Sequence, residues 1–265
     1  MDTVRTQWPP GVDADTLGAT LAGIAEEAAQ LILPLWRTGL GVETKTDNSP
    51  VTEADRRAET LILARLAERF PGVPVVSEED ASEFGTPDKI ADRFFLVDPL
   101  DGTKAFVRGD PNFTVNIGLI ENGRPVAGAV VAPPTGEVWF TSSTGALKRE
   151  PGGDARRIAP RPWRAEAAVA LISHTMKPEA LDELRKRYGF AHTEAMDSSI
   201  KLCRIAEGSA DIYPRHGPTM EWDIAAAHAV LVAAGGRLTT ADGDPFVYGK
   251  ATEGFRNGWF VARGA

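Results

Sequence analysis

Apolar residues recur at helical spacing through the first part of the chain. Leu17, Leu21, Ile24, Ala28, Leu31 and Leu35 form one stripe between Asp13 and Trp36, which predicts an amphipathic helix. After the polar stretch from Thr44 to Pro50, Thr52 is a plausible N-cap for a second helix. That helix would turn Leu61, Leu66 and Phe70 inward and end at Pro71-Gly72. Val73 to Val76 reads as a short strand delivering Ser77-Glu78-Glu79-Asp80. The run Arg93-Phe94-Phe95-Leu96-Val97 is aromatic and β-branched, the composition of a buried strand. Phe113 to Ile120, Pro125 to Ala132 and Glu137 to Thr141 then predict an antiparallel meander. Its turns are Glu121-Asn122-Gly123-Arg124 and Pro133-Pro134-Thr135-Gly136.

Pro151-Gly152-Gly153 marks the expected boundary between two halves, residues 1–152 and 153–265. The second half predicts a strand at Ala167 to Ser173, a helix at Pro178 to Tyr188, a helical stretch at Ser199 to Ala206 and a strand at Ala210 to Tyr213. A long helix from Trp222 to Ala234 closes at Gly235-Gly236. The order of elements says mixed α/β.

Composition narrows the class without naming a chemistry. With 265 residues, 43% of them hydrophobic and 25% charged, the chain is long enough for a large core and ordinary for a soluble globular protein. A net charge of −8 gives no basic footprint for a nucleic-acid backbone, although a nucleotide-sized substrate is compatible with it. The single cysteine, Cys203, excludes an intrachain disulfide framework and reads as a small buried hydrophobe beside Leu202 and Ile205. Asp2, Asp13, Asp15 and two early prolines are unlike a signal peptide, and no apolar run approaches the roughly 20 residues of a membrane span. The expectation is a soluble cytoplasmic enzyme, monomer or homodimer, compatible with peripheral membrane contact.

The chemistry concentrates behind the apolar run, in Asp98-Pro99-Leu100-Asp101-Gly102-Thr103. Pro99 lacks an amide N–H and should stop the strand, Gly102 permits a tight turn, and Thr103 can cap a following helix. Two carboxylates and the Leu100 carbonyl would then converge, an oxygen set suited to Mg²⁺. An isolated pair of this kind reads better as an acidic turn. Asp55, Glu78-Glu79 and Asp223, in Glu221-Trp222-Asp223-Ile224-Ala225-Ala226, also fall at element ends. Singly, Asp55 and Asp223 fit helix caps. Together with Asp98 and Asp101 they supply a two-metal hydrolase, where two ions roughly 3.5–4 Å apart clamp an in-line phosphoryl displacement. Two Mg²⁺ would neutralise Glu78, Asp98, Asp101 and Asp223; a phosphate dianion would need further positive charge from a third ion, Lys201, Arg215 or helix amides.

In order and separation, Asp55, Glu78-Glu79, Asp98 to Thr103 and Trp222-Asp223-Ile224-Ala225-Ala226 resemble the inositol monophosphatase superfamily over nearly the whole chain. The resemblance implies an αβαβα layered architecture. It implies that Glu78, Asp98 and the Leu100 carbonyl hold one Mg²⁺ and that Asp98, Asp101 and Asp223 hold a second. A water activated near Glu78 and Thr103 would attack phosphorus, supported by Asp55 and Glu79. The segments Asp101 to Phe106, Phe113 to Ile117, Ser198 to Cys203, Tyr213 to Arg215 and Gly217 to Asp223 are most similar to the 3'(2'),5'-bisphosphate nucleotidase branch, which removes the 3'-phosphate of adenosine 3',5'-bisphosphate. By that analogy Ser198, Lys201 and Arg215 contact the nucleotide and His174 lines its side, with Gly102, Thr103 and Asp223 also at the substrate. From the residues alone, Lys201 and Arg215 read equally as solvated charges and His174 as a strand-end surface residue. The chain departs from the branch pattern at Leu171-Ile172, where Ser-Arg is usual, and at Ala105, where Glu is usual. Alternatives are a monophosphatase for inositol, histidinol or sugar phosphates, and a non-catalytic metal- or nucleotide-binding regulator.

Overall fold

A computed structural model describes residues 13–38, 42–44, 50–174 and 176–264. The N-terminal residues through 12 and the core of the polar stretch, 45–49, lie outside that set. In chain order the helices are α1 (Ala14–Thr38), α2 (Glu53–Arg69), α3 (Glu78–Phe84), α4 (Thr103–Arg108), α5 (Pro178–Tyr188), α6 (Ile200–Ala206) and α7 (Glu221–Ala234). The strands are β1 (Val42–Thr44), β2 (Pro50–Thr52), β3 (Val75–Ser77), β4 (Arg93–Asp101), β5 (Thr114–Glu121), β6 (Arg124–Ala132), β7 (Glu137–Ser142), β8 (Gly145–Arg149), β9 (Arg156–Ile158), β10 (Val169–Ile172), β11 (His192–Ala195), β12 (Ile212–Arg215), β13 (Thr219–Met220), β14 (Arg237–Thr240), β15 (Arg256–Asn257) and β16 (Phe260–Arg263).

Two sheets carry the fold. The first runs β3-β4-β5-β6-β7-β8-β9, parallel only between β3 and β4; the second runs β11-β10-β12-β16-β14, with β10 parallel to both neighbours. Alternation along β4 explains the layering. Phe95 and Val97 face a core shared with α1 and α2, whereas Phe94 and Leu96 face a second core shared with α6, α7 and the inner side of the other sheet. A third, smaller cluster of Ala168, Ala170, Leu184, Phe190, Ile212 and Val261 seats α5 on the outer side of that sheet. The αβαβα order expected from the family resemblance is the order observed.

The middle helix layer approaches the first sheet unusually closely. Gly118 of β5 and Gly128 of β6 are cross-strand partners under α7. A methyl at Gly128 would lie 2.4 Å from the Ala226 carbonyl oxygen, and one at Gly118 would lie 2.8 Å from the Ala226 amide nitrogen. No side chain fits there. On its far side α6 is tied to the same sheet by ionic contacts. Lys148 meets Glu137 at 2.6 Å and Glu207 at 2.9 Å, while Arg204 meets the same two carboxylates at 2.7 and 2.8 Å. Burial alone would raise the Glu137 carboxyl, but hydrogen bonds from Arg204 and Lys148 outweigh it and hold it at about 2.

Several expectations shift. Pro99 does not end β4; the strand continues to Asp101 through a register irregularity between Asp98 and Asp101, where a proline's missing donor is tolerated. The N-cap of α4 is Gly102, in the left-handed region at φ 96°, so Thr103 occupies the first helical turn instead of capping it. In the α1 stripe Leu31 is 39% exposed and Ile32 is buried in its place; in α2 Leu61 is only half-buried and Ile62 is fully buried. Pro151-Gly152-Gly153 turns β8 into β9 within the first sheet, so the chain crosses between sheets only after Ile158. β9 carries two exposed arginines in three residues, and no apolar run marks it as a strand.

Because the α7 contact is backbone on backbone, neither side can move aside cheaply. Gly128→Ala should destabilise by about 1–3 kcal/mol, lowering Tm by roughly 2–4 °C per kcal/mol. Gly23→Ala in α1, with open space around the new methyl, should be neutral or stabilising by up to about 1 kcal/mol. Thermal denaturation of the two variants beside the parent checks the contrast; equal melting temperatures would contradict it.

Candidate active site

Helix starts and strand ends meet at one cavity of about 770 Å³. Glu78, Asp98, Leu100, Asp101, Gly102, Thr103, His174, Ser198, Lys201, Arg215 and Asp223 all line it. Asp55 lies behind that wall, fully buried, and reaches it through Thr103. Glu79 is also buried.

Each acidic side chain is oriented by local backbone chemistry. Asp55 is the third residue of α2, and its Oδ2 accepts from the Thr52 amide at 2.8 Å and the Thr52 hydroxyl at 2.6 Å; Thr52 Oγ1 in turn accepts from the Ala54 amide. Asp223 stands at the same position of α7, its Oδ2 accepting from the Met220 amide at 2.9 Å. Asp98 Oδ1 accepts from the Leu100 amide at 3.0 Å, closing the turn around Pro99. Asp101 Oδ2 accepts from the Ser199 amide, and Asn116 Nδ2 stands 3.5 Å from the same oxygen. Glu59 of α2 receives the Glu79 and Asp80 amides at 3.1 and 3.3 Å, which fixes the start of α3 beside Glu78. Burial pushes the Glu59 carboxyl up to about 7.

Electrostatically the wall is overloaded with negative charge. Burial, then Glu78, Asp101, Asp223 and Asp55, push the Asp98 carboxyl well above the usual range. Burial, followed by Asp101 and Glu78, does the same to Asp223. Asp101 is also raised by burial, against the pull of Lys201, the Ser199 amide, Asn116 and Arg215. Hard, oxygen-only donors that raise one another's pKa values fit divalent cations, which would remove the repulsion.

The hydroxyl of Thr103 stands 3.4 Å from Asp55 Oδ1 and 3.2 Å from the Leu100 carbonyl oxygen, and can donate to either. Its lone pairs remain as acceptors on the cavity side of a buried carboxylate. Lys201 faces the same cavity but is buried, and its ammonium donates to the carbonyls of Met196 at 3.0 Å and Ser198 at 2.7 Å. It also lies 5.0 Å from the centre of the Tyr213 ring. Burial lowers its pKa to about 8, although Asp101 opposes the shift. Arg215 donates Nη2 to the Pro218 carbonyl, and its Nε is buried without a hydrogen-bond partner among the described residues. His174 is exposed at the rim, grouped with Asp110 and Asp197 so that one ligand-type atom of each lies within 4.8 Å of the others.

Sequence reasoning overlooked several residues of this site. Lys104 and Arg108 line the cavity from α4, and Arg108 pairs with Asp197 at 2.8 Å. Thr114 and Asn116 form a buried polar cluster with Ser199, which lines the cavity. The signal was present: Thr114 and Asn116 alternate with Val115 and Ile117, placing two polar groups on one buried face of β5.

Comparison with known proteins agrees with this geometry. The chain matches the inositol monophosphatase family over residues 13–260. The 3'(2'),5'-bisphosphate nucleotidase CysQ of Escherichia coli (strain K12) is 42% identical over 209 residues, covering 79% of this chain and 83% of that protein. The protein of the same name from Buchnera aphidicola is 35% identical over 264 residues, covering 98% of this chain and 96% of the other. Among solved structures, CysQ from Bacteroides thetaiotaomicron superposes with a TM-score of 0.76 at 34% identity, covering 94% of this chain and 97% of that one. With its layers in the family's order and its acidic motifs around one cavity, the chain belongs to the inositol monophosphatase family.

Proposed function

We propose that this chain is a Mg²⁺-dependent phosphatase that hydrolyses the 3'-phosphate of adenosine 3',5'-bisphosphate, and of the related 3'-phosphoadenosine 5'-phosphosulfate. One observation carries the reading: a single cavity is lined by Glu78, Asp98, Asp101, Asp223 and Thr103, which reaches the buried Asp55, and also by Lys104, Arg108 and Arg215. The carboxylates suit metal-assisted attack on one phosphate, and the cations suit a second phosphate on the same molecule. The CysQ relatives support the same choice.

Glu78, Asp98 and the Leu100 carbonyl would hold one Mg²⁺, and Asp98, Asp101 and Asp223 the second. Bound Mg²⁺ would neutralise these carboxylates and polarise both the phosphoryl oxygens and the attacking water. Thr103 orients that water and relays its proton: the hydroxyl takes a proton from the water while passing its own to Asp55 Oδ1. Asp55 remains an acceptor because Thr52 already saturates Oδ2. Water oxygen bonds to phosphorus as the bond from phosphorus to the 3'-oxygen breaks. The leaving 3'-oxygen takes a proton from a solvent water, whose hydroxide is neutralised by the proton held on Asp55. Adenosine 3',5'-bisphosphate thereby yields adenosine 5'-monophosphate and inorganic phosphate. Arg215 receives the 5'-phosphate, with Lys104 and Arg108 at the rim. Lys201 acts on the cavity wall, since its ammonium is engaged by two backbone carbonyls.

Four expected outcomes follow from these assignments. With Mg²⁺ present, kcat/KM for adenosine 3',5'-bisphosphate should exceed that for inositol 1-phosphate by at least about tenfold, since only the former offers a second phosphate to the cations lining the cavity. The reverse preference would overturn the substrate, and no phosphate release from either would overturn the enzyme. Asp98→Asn should lower kcat on the order of 10³-fold, because this residue serves both ions; activity within tenfold of the parent would refute the bridging role. Arg215→Ala should raise KM for the bisphosphate roughly 10–100-fold but change KM for adenosine 3'-monophosphate by less than about threefold. Lys201→Ala should affect both esters alike, so steady-state kinetics on the two substrates separates the cations.

A further inference from the structure

Asp98, Asp101 and Asp223 share a feature that goes beyond charge. In each, one carboxylate oxygen accepts from a protein donor while the other accepts from none among the described residues. For Asp98 and Asp223 the donor is a nearby amide, built into the turn or the helix start. Asp101 differs, because its donors come from far along the chain. The Ser199 amide is 98 residues away, and it reaches Asp101 only if the segment before α6 is held against β5.

A buried polar cluster makes that connection. Ser199 Oγ donates to Asn116 Oδ1 at 2.7 Å and lies 3.0 Å from the hydroxyl of Thr114. With its carbonyl oxygen occupied by Ser199, the Asn116 amide can present only Nδ2 to Asp101. Thr114 and Asn116 are fully buried and Ser199 is 3% exposed, so loss of one partner leaves the others unsatisfied. Ser198, immediately before, sits in the left-handed region at φ 57°, a conformation uncommon for a residue with a side chain. The Lys201 ammonium bonds the carbonyls on either side of that bend. Strain at Ser198 is thus balanced by contacts that deliver the Ser199 amide to Asp101 Oδ2.

We propose that Asn116 and Ser199 are positioning residues that commit Asp101 Oδ2 to protein donors, limit Asp101 to one-oxygen coordination, and so favour Mg²⁺ over Ca²⁺ in this site. The physical reason is coordination number. Mg²⁺ takes six ligands in near-ideal octahedral geometry, served by single carboxylate oxygens, whereas Ca²⁺ takes six to eight and readily uses a carboxylate through both oxygens. With one oxygen held by the Ser199 amide and the Asn116 carboxamide 3.5 Å from it, the carboxylate must give up those donors to offer the pair. Such outer partners typically contribute 10–100-fold in metal affinity.

The inference rests on the reading of Asp101 as a metal ligand, and the experiment separates the two. Isothermal titration of Mg²⁺ and of Ca²⁺ would be carried out on the parent, Asn116→Ala, Ser199→Ala and Asp101→Asn, each checked for folding by thermal denaturation. Asn116→Ala should weaken Mg²⁺ binding about tenfold and Ca²⁺ binding by less than about threefold, narrowing the preference. Ser199→Ala retains the amide but loses the tie to Asn116, and should shift the ratio in the same direction by a smaller factor. It also serves as the test if Asn116→Ala does not fold. An unchanged Mg²⁺ to Ca²⁺ ratio in the folded variants, whether both affinities hold or both fall equally, overturns the positioning role. Parent-like metal binding by Asp101→Asn would overturn the ligand assignment itself.

Discussion

Helix α7 can lie where it does only because the two strands beneath it carry no side chains at the crossing. The Ala226 backbone occupies the space that a methyl on Gly118 or Gly128 would need. This contact sets the depth of the middle helix layer between the two sheets, and with it the position of Asp223 at the start of α7. A helix one side chain higher would lift that carboxylate away from Asp98 and Asp101. The alanine-rich face of α7 serves the same end, since small residues allow backbone to approach backbone. Fold and site therefore share one constraint.

The opposite side of the middle layer is held by charge. Lys148 and Arg204 bind Glu137 and Glu207 in an alternating, internally neutral group, with Trp139 donating its indole N–H to Glu207 at 2.8 Å. That group ends α6 as the Ser199–Asn116 contact begins it. The short helix is thereby fixed at both termini, although its seven residues would not be stable alone. A buried network whose members are all satisfied resists displacement, because breaking any pair strands a charge in the interior. The cavity wall formed by Ser198 and Lys201 inherits this rigidity.

Much of this was legible in the chain itself. The apolar run from Phe94 to Val97 read as a buried strand, glycine after Ala234 closed α7, and Asn122-Gly123 turned the hairpin, with both residues at positive φ. The acidic motifs were legible because four of them recur at element ends, a pattern that capping alone does not require. What escaped reading was set by contacts distant in sequence. β9 is recognisable as a strand only through pairing with β8, since two of its three residues are arginines in water. Pro99 looked like a strand end because its effect was judged locally; the irregular register opposite Thr114 absorbs its missing donor. Lys201 reads from the sequence equally as a cation for substrate and as a solvated charge, and only the folded chain reveals that it is buried with two carbonyls bonded to its ammonium.

The carboxylates also explain why caps and metal ligands are hard to tell apart in sequence. Asp55 and Asp223 occupy the third position of their helices and satisfy an otherwise orphaned amide, as ordinary capping residues do. That same bond fixes the rotamer and aims the remaining oxygen. In Asp55 the remaining oxygen meets Thr103; in Asp223 it has no protein donor among the described residues. Capping and ligation are thus two uses of one side chain, divided between its two oxygens. The fold takes one and leaves the other for chemistry, which keeps a cluster of mutually repelling carboxylates in place when the cations that suit them are absent. Asp101 follows the same division without a helix of its own, and for that reason needs Ser199 and Asn116 to complete it.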